Sequence, residues 1–258
     1  MDEFRLLKLK IKRKLGINVE QYRESFLRRR IQTRLHANGL ENCAEYLRFL
    51  EKHPEEYQKL AKTLTINVSE FFRDKELWEE IEKMLRRMVR KKTMIRAWSA
   101  GCATGEEAYS ITILLNEVLE GNRNKYYIKT YATDLDEKAI KFAKKATYTK
   151  IKGHEKWFNH IEKKYIVKDE IKKLVKFEIR DVREPPSHKL LDLVLFRNVL
   201  IYFERKEHER ILKNICDSIR PGGYLILSLV ETMPDPLKNL FLPYNSKLKI
   251  FQKAACRS

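Results

Sequence analysis

Near the N-terminus apolar residues recur at helical spacing: Phe4, Leu7 and Ile11, then Tyr22, Phe26, Leu27, Ile31 and Leu35. Gly16, Gly39 and Pro54 punctuate the run. This predicts a small all-helical domain over residues 1–75, with a further helix near 75–91. Beyond it, short apolar runs alternate with amphipathic stretches. MIRAWSA, YIKTYATD, VKFEIRDV and LDLVLFRN read as strands, and helices start near Gly105, Asp136 and Glu204. YLILSLVE follows Pro221-Gly222-Gly223, and KLKIFQKA is close enough behind it to form an antiparallel pair at the sheet edge. The alternation predicts a doubly wound α/β domain over residues 76–258, which binds ligands at the carboxyl ends of its strands. Residues 146–174 interrupt it and read as a surface insertion carrying short helices or a ribbon.

Composition narrows the class more than it names an activity. With 258 residues, 43% of them hydrophobic, the chain can fill a real core. No run approaches the roughly 18 apolar residues that span a bilayer, so a cytoplasmic protein without direct membrane insertion is expected. Cys43, Cys102, Cys216 and Cys256 are scattered, with no C-x-x-C pair, which indicates neither a disulfide framework nor a metal site. The net charge of +18 fits nucleic acid, an anionic membrane, an acidic protein, or a surface laced with ion pairs, and does not choose among them. Between Arg5 and Arg34 stand eleven Lys or Arg and two acids, with Arg28, Arg29, Arg30 and Arg34 the densest group.

The candidate chemistry lies at the predicted strand ends. WSAGCATGEEAYSI has the strand–glycine loop–helix form, and Gly101 and Gly105 permit close backbone approach to a ligand. It lacks the G-K-[ST] ending of a phosphate loop, and Glu106 and Glu107 would repel phosphate. Asp134, ending the next strand, stands where such folds place an acid on ribose hydroxyls. Three acids around one loop suit a cationic nucleoside, of which S-adenosylmethionine is one. Thr104-Gly-Glu-Glu107 also reads as a capping box that would occupy Glu107. Asp181 has a plain loop acid as its alternative, and Cys102 reads as a small packing residue with no evident base beside it.

Four motifs in register, TINVSEFFRD, WSAGCATGEEAYSI, YATDLD and FRNVLIYF, resemble the CheR-type chemotaxis receptor glutamate methyltransferases over nearly the whole chain. The resemblance implies a class I methyltransferase-like fold, S-adenosylmethionine as donor, S-adenosylhomocysteine as product, and glutamate carboxylates on the chemoreceptor cytoplasmic helical bundle as acceptors. It assigns cofactor contacts to Asn67, Ser69, Arg73, Gly101, an acid of Glu106-Glu107, Asp134, Asp181, Val182, Phe196, Arg197 and Asn198. It makes Arg73 and Tyr202 the groups that orient the acceptor carboxylate; read without it, Arg73 pairs with Asp74 or Glu70 and Tyr202 is a core aromatic. The departures are Ser69 for Thr, Phe196 for Cys, Asp181-Val182 for Asn-Leu, and Ser228-Leu-Val-Glu231 in place of a GHSE-like turn.

A basic early helix would then steer acidic receptor helices through Arg28, Arg29, Arg30 and Arg34, and recruit a cytoplasmic monomer to membrane-bound receptors. The rivals are an RNA methyltransferase on the same fold, suggested by the charge, and a non-catalytic S-adenosylmethionine-binding scaffold. No metal is expected, and the motifs supply none of the stacking aromatics that RNA recognition needs.

Overall fold

The computed structural model describes residues 2–15, 19–64, 69–119 and 121–254. The chain divides into two compact units, Met1–Ile66 with Tyr202–Glu207, and Asn67–Ile201 with His208–Ser258. The sequence boundary near 75 grouped the Ser69–Asp74 stretch with the helices. In the structure it packs in the second unit: the Phe72 amide donates to Ser110 Oγ (3.0 Å), and Phe71 lies edge-on to Tyr148 (4.8 Å) and Phe158 (5.2 Å).

The first unit contains α1 (Glu3–Leu15), α2 (Glu24–Ala37), α3 (Cys43–Lys52) and α4 (Glu56–Leu64). Their apolar stripes meet in one core, with Leu7, Ile11, Leu27, Ile31, Tyr46, Leu50 and Leu60 almost wholly buried. Asn42 caps α3 by accepting from the Glu45 amide at 2.9 Å.

Among the leucines sits a buried ion pair. Arg34 grips Glu56 with Nε at 2.7 Å and Nη2 at 2.9 Å, while Tyr46 Oη and Asn38 Nδ2 donate to the same carboxylate. Burial raises the Glu56 carboxyl, but hydrogen bonds from Arg34, Tyr46 and Asn38 outweigh it and leave the group below its ordinary range. A depressed acid contributes stability above its unfolded pKa and loses it as pH falls through the folded one. The helical unit is therefore expected to weaken below about pH 4.5. Arg34→Ala, which strands Glu56, should cost about 3–5 kcal/mol. Denaturant unfolding across that pH range checks both; an Arg34→Ala variant as stable as the parent would show the pair to be dispensable.

The second unit opens with α5 (Lys75–Val89) and then alternates: β1 (Met94–Ala100), α6 (Glu106–Val118), β2 (Tyr127–Asp134), α7 (Glu137–Lys145). The insertion follows as β3 (Thr147–Tyr148), β4 (Phe158–Ile161) and β5 (Lys164–Val167), then a short α8 (Asp169–Lys172). The chain returns through β6 (Val175–Ile179), β7 (Leu191–Phe196), α9 (Arg205–Ser218), β8 (Ile219–Leu227), a short α10 (Asp235–Lys238), β9 (Phe241–Asn245) and β10 (Ile250–Lys253).

The main sheet runs β6-β2-β1-β7-β8-β10-β9. The β1–β2, β1–β7, β2–β6 and β7–β8 pairs are parallel, whereas β10 is antiparallel to both neighbours. β10 pairs with β8 as expected, and the outermost position belongs to β9. That strand, FLPYN, escapes sequence reading because Pro243 cannot donate to a ladder and marks an edge at best. β7 is buried along its whole length, as a central parallel strand covered on both faces must be. The insertion is a ribbon, a three-stranded antiparallel sheet of order β3-β5-β4.

Candidate functional site

Strand order reverses between β1 and β7, and such folds bind ligands in the crevice at that point. Register sets what lies there. Ala100 pairs with Thr133, so β1 and β2 end level, and the amides of Gly101 and Cys102 both donate to the Thr133 carbonyl at 2.8 and 2.9 Å. The loop therefore turns back over β2, where Asp134 Oδ2 accepts from the Ala103 amide (2.8 Å) and Oδ1 from the Asp136 amide (2.9 Å).

The two glycines are required by the protein's own packing. Gly101 has φ +81° and a Cβ there would meet Val199 Cγ2 at 2.4 Å; Gly105 has φ +94° and would meet Ala143 Cβ at 2.8 Å. Beneath the loop, Tyr148 of the insertion donates to the Thr104 carbonyl at 2.8 Å. Cys102 is buried, and burial first, then Asp134 and Glu107, raise its thiol well above the ordinary value, so it acts as packing.

No capping box forms. The helix begins at Glu106 with Gly105 at the cap position, one residue later than the box requires, and Thr104 Oγ1 donates instead to Glu106 Oε2 at 2.7 Å. Glu107 reaches sideways to the strand ends. Its Oε1 accepts from Ser99 Oγ on β1 (2.7 Å), and its Oε2 from Arg197 Nη1, just past β7 (3.1 Å). A carboxylate thus bridges the two strands that flank the crevice.

Arg197 is nearly enclosed and also holds Asp74, while its Nε has no partner among the described residues. Asp74 is therefore taken, and Glu70 pairs with Lys152 at 3.2 Å. Both acids that Arg73 could have used are engaged elsewhere, and Arg73 forms no ion pair among the described residues. Phe72 and Asp74 on either side of it have φ +51° and +67°, a left-handed bracket of the kind that collects at functional sites.

Past Arg197 the chain turns through Asn198 (φ +59°) around one buried carboxylate. Glu231 accepts from the amides of Asn198 (3.2 Å), Val199 (2.8 Å) and Leu200 (2.8 Å), and from the amide and hydroxyl of Ser228 (2.9 and 2.7 Å). Sequence reading named Glu231 only within the Ser228-Leu-Val-Glu231 departure and Ser99 only within the glycine-loop motif, and gave neither a role. An acid at the end of an otherwise apolar run, SLVE, was the available signal.

The remaining expected residues divide. Ser69 donates toward Glu106, Val182 and Phe196 are buried, and the Asp181 carboxylate is occupied by Arg183 (Nε 2.8 Å), which leaves backbone contacts at 181–182. Asn67 lies outside the described residues. Tyr202 belongs to the helical unit, its ring 5.1 Å from Phe26 and its carbonyl accepting from the Arg23 amide at 3.0 Å. Of the four docking arginines, Arg34 is committed to Glu56, and Arg28 lies on Glu24 (2.7 Å) and over the Phe4 ring (4.1 Å). Arg29 is exposed, and Arg30 is half-buried against Phe26.

Residues 67–249 match the CheR methyltransferase SAM-binding domain, and residues 2–65 match the CheR methyltransferase all-alpha domain. The chain belongs to the CheR methyltransferase family. A chemotaxis protein methyltransferase of Listeria innocua is 30% identical over 235 residues, covering 88% of each chain. One of Borreliella burgdorferi is 29% identical over 247 residues, covering 89% of this chain and 87% of its own. A putative methyltransferase of Pseudomonas putida is 28% identical over 271 residues and covers nearly all of both.

As a CheR methyltransferase the protein takes S-adenosylmethionine, and the donor set fits that cation. Among the described residues Glu106 and Asp134 are held by neutral donors: the hydroxyls of Thr104 and Ser69 and its own amide for the first, amides for the second. Burial pushes both carboxyls up, against hydrogen bonds that pull them down. A positive ligand favours their ionised forms, so affinity must rise as pH climbs through the raised values. We expect calorimetry from pH 8 to pH 5 to show S-adenosylmethionine binding weakening more than that of the uncharged-sulfur product. Glu106→Gln should flatten the difference; parallel pH curves for the two ligands would count against this charge pairing. Among the described residues no cluster of metal-ligating side chains occurs, and no helix is long and apolar enough to cross a membrane.

Proposed function

We propose that the protein is a protein-glutamate O-methyltransferase that esterifies glutamate side chains on the cytoplasmic helices of chemoreceptors. The observation that carries the reading is Glu107 bridging Ser99 and Arg197 across the strand-order reversal, with no acid partner for Arg73 among the described residues. Glu107 is the acid turned into the crevice, so it is the one assigned to the cofactor. Glu106, with Ser69, and Asp134 complete the acidic cradle, and backbone at Asp181, Val182, Phe196 and Asn198 closes it, with Asn67 added by motif position.

Bound S-adenosylmethionine supplies an electrophilic methyl group and leaves as S-adenosylhomocysteine. No residue has to remove a proton, because a glutamate carboxylate is ionised at neutral pH. The protein's task is to hold the carboxylate in line and exclude water, since attraction between opposite charges grows as the site dries. Arg73 is the orienting cation. Tyr202 takes a second orienting role on its place in the motif. Exposed Arg29 and half-buried Arg30 remain to meet acidic receptor helices, with an affinity that weakens as salt rises.

The test supplies labelled S-adenosylmethionine with a receptor helical fragment, its Glu→Gln version and bulk RNA. Base-labile label confined to the glutamate fragment supports the proposal. Label on RNA would replace it with the nucleic-acid reading, and cofactor binding without any transfer would leave a scaffold.

A further inference from the structure

The segment that carries Arg73, Ser69–Asp74, belongs to no helix or strand. Without a ladder it is placed by its side chains, and three consecutive ones are taken by the insertion of residues 146–174. Glu70 pairs with Lys152 at 3.2 Å, and Phe71 lies edge-on to Tyr148 (4.8 Å) and Phe158 (5.2 Å). Phe72 is covered by the His154 imidazole, stacked on its ring at 3.9 Å with 21° between the planes.

The insertion is itself anchored beside these contacts. Glu117, near the end of α6, accepts from His154 Nδ1 and Trp157 Nε1, both at 2.9 Å, and pairs with Lys156 at 3.1 Å. Burial raises the Glu117 carboxyl, but hydrogen bonds from His154, Trp157 and Lys156 outweigh it and leave a charged anchor below its ordinary range. Tyr148 reaches the other way, to the Thr104 carbonyl of the glycine loop at 2.8 Å. One ribbon thus touches both the cofactor loop and the segment before α5.

Phe72 needs this support. Its φ of +51° persists in a bulky residue only where surrounding contacts over-determine it. Its amide donates to Ser110 Oγ (3.0 Å), its ring meets Trp78 edge-on (5.3 Å), and His154 covers a face of that ring. Trp78 also donates to the Arg73 carbonyl at 2.8 Å, so the Phe72 ring and the Arg73 backbone share a neighbour. With no ion pair among the described residues to direct it, Arg73 takes its aim from the backbone that Phe72 fixes.

We propose that the insertion positions Arg73 for methyl transfer: His154, braced by Glu117 and stacked on Phe72, is a positioning residue that acts through the Phe72–Arg73 backbone. The catalytic half of this inference rests on the glutamate methyltransferase reading, whereas the clamp on Phe72 does not. Supporting contacts of this kind hold a reacting geometry that the residues touching the ligand cannot hold alone.

The test uses the full chain and two readouts, methyl transfer to a receptor helical fragment at saturating S-adenosylmethionine and hydrogen exchange of the Phe72 amide. His154→Asn removes the ring but suits the left-handed backbone at this position, φ +62°. It should lower kcat about tenfold, leave KM for the fragment unchanged, and speed Phe72 exchange. In an Arg73→Ala chain the same substitution should slow transfer no further, which a general loss of stability would not reproduce. Lys152→Glu, at an exposed position, should slow transfer about threefold, and adding Glu70→Lys should restore it. A His154→Asn chain that transfers at the parent rate, a change in KM alone, or an equal loss with and without Arg73 would each overturn the positioning role. So would a Lys152→Glu loss that Glu70→Lys does not recover. If the parent methylates no receptor glutamate while His154→Asn still speeds Phe72 exchange, the clamp stands and the functional proposal falls.

Discussion

Glu231→Ala is expected to lower stability by about 3–5 kcal/mol, because each stranded buried donor costs roughly 1–3 kcal/mol and water relieves only part of the loss. Five donors converge on that carboxylate, three of them consecutive amides of the turn after β7. In a chain of this size the loss corresponds to a fall in Tm of about 10 °C. Because the turn carries Arg197 and Asn198, cofactor affinity should fall as well, by about tenfold. Glu231→Gln keeps one acceptor oxygen but presents an NH2 group to donors, so it should lie between the parent and Glu231→Ala. Scanning calorimetry with and without S-adenosylhomocysteine separates the two effects. A melting curve and affinity matching the parent would show that the turn holds itself.

Arg73→Ala is expected to slow methyl transfer by about 10- to 1000-fold while leaving the fold intact. The second half of that statement follows from the structure. Arg73 has no ion pair among the described residues to lose, since Asp74 is held by Arg197 and Glu70 by Lys152. Removing it should act on the bound ligands: the acceptor carboxylate, and the cofactor that the family resemblance also places against Arg73. Its effect is bounded because a stronger grip on the carboxylate would also stabilise the ground state. Single-turnover rates at saturating S-adenosylmethionine, with the melting temperature as control, read the effect directly. Arg73→Lys should recover part of it, as a point charge without the planar fork. If Arg73→Ala and Tyr202→Phe both transfer at the parent rate, neither residue orients the carboxylate.

How much of this was legible in the chain differed by element, for physical reasons. The strands MIRAWSA and YIKTYATD end where the sequence places them, because β-branched and aromatic runs stopped by Gly101 or Asp134 leave little choice. FLPYN was not legible, since its strand character comes from pairing with β10 and not from its own residues. Tyr148 could be read as part of an insertion but not as the prop beneath Thr104, a contact of residues 44 apart.

The four arginines of α2 were read as one group, yet they divide by helical phase. Arg34 turns inward to Glu56, which is separated from it by 22 positions. Charge density along the chain says nothing about which side of a helix a cation occupies. The capping-box pattern failed by a single position. Thr-x-x-Glu has the right spacing at 104–107, but Gly105 takes the cap with φ +94°, and the register shift releases Glu107 toward β7.

By itself the sequence determined the two kinds of unit, the strand–glycine loop–helix element and the inventory of acids and cations, because these depend on spacing and residue type within a few turns of chain. The tertiary structure alone decided which charges are spent on one another: Arg34 on Glu56, Arg197 on Asp74 and Glu107, Glu231 on its turn. Such choices depend on long-range register and burial, where a paired charge is tolerated and an unpaired one is costly. What they leave over, an Arg73 with no ion pair among the described residues, is where this chain meets its acceptor in the reading proposed above.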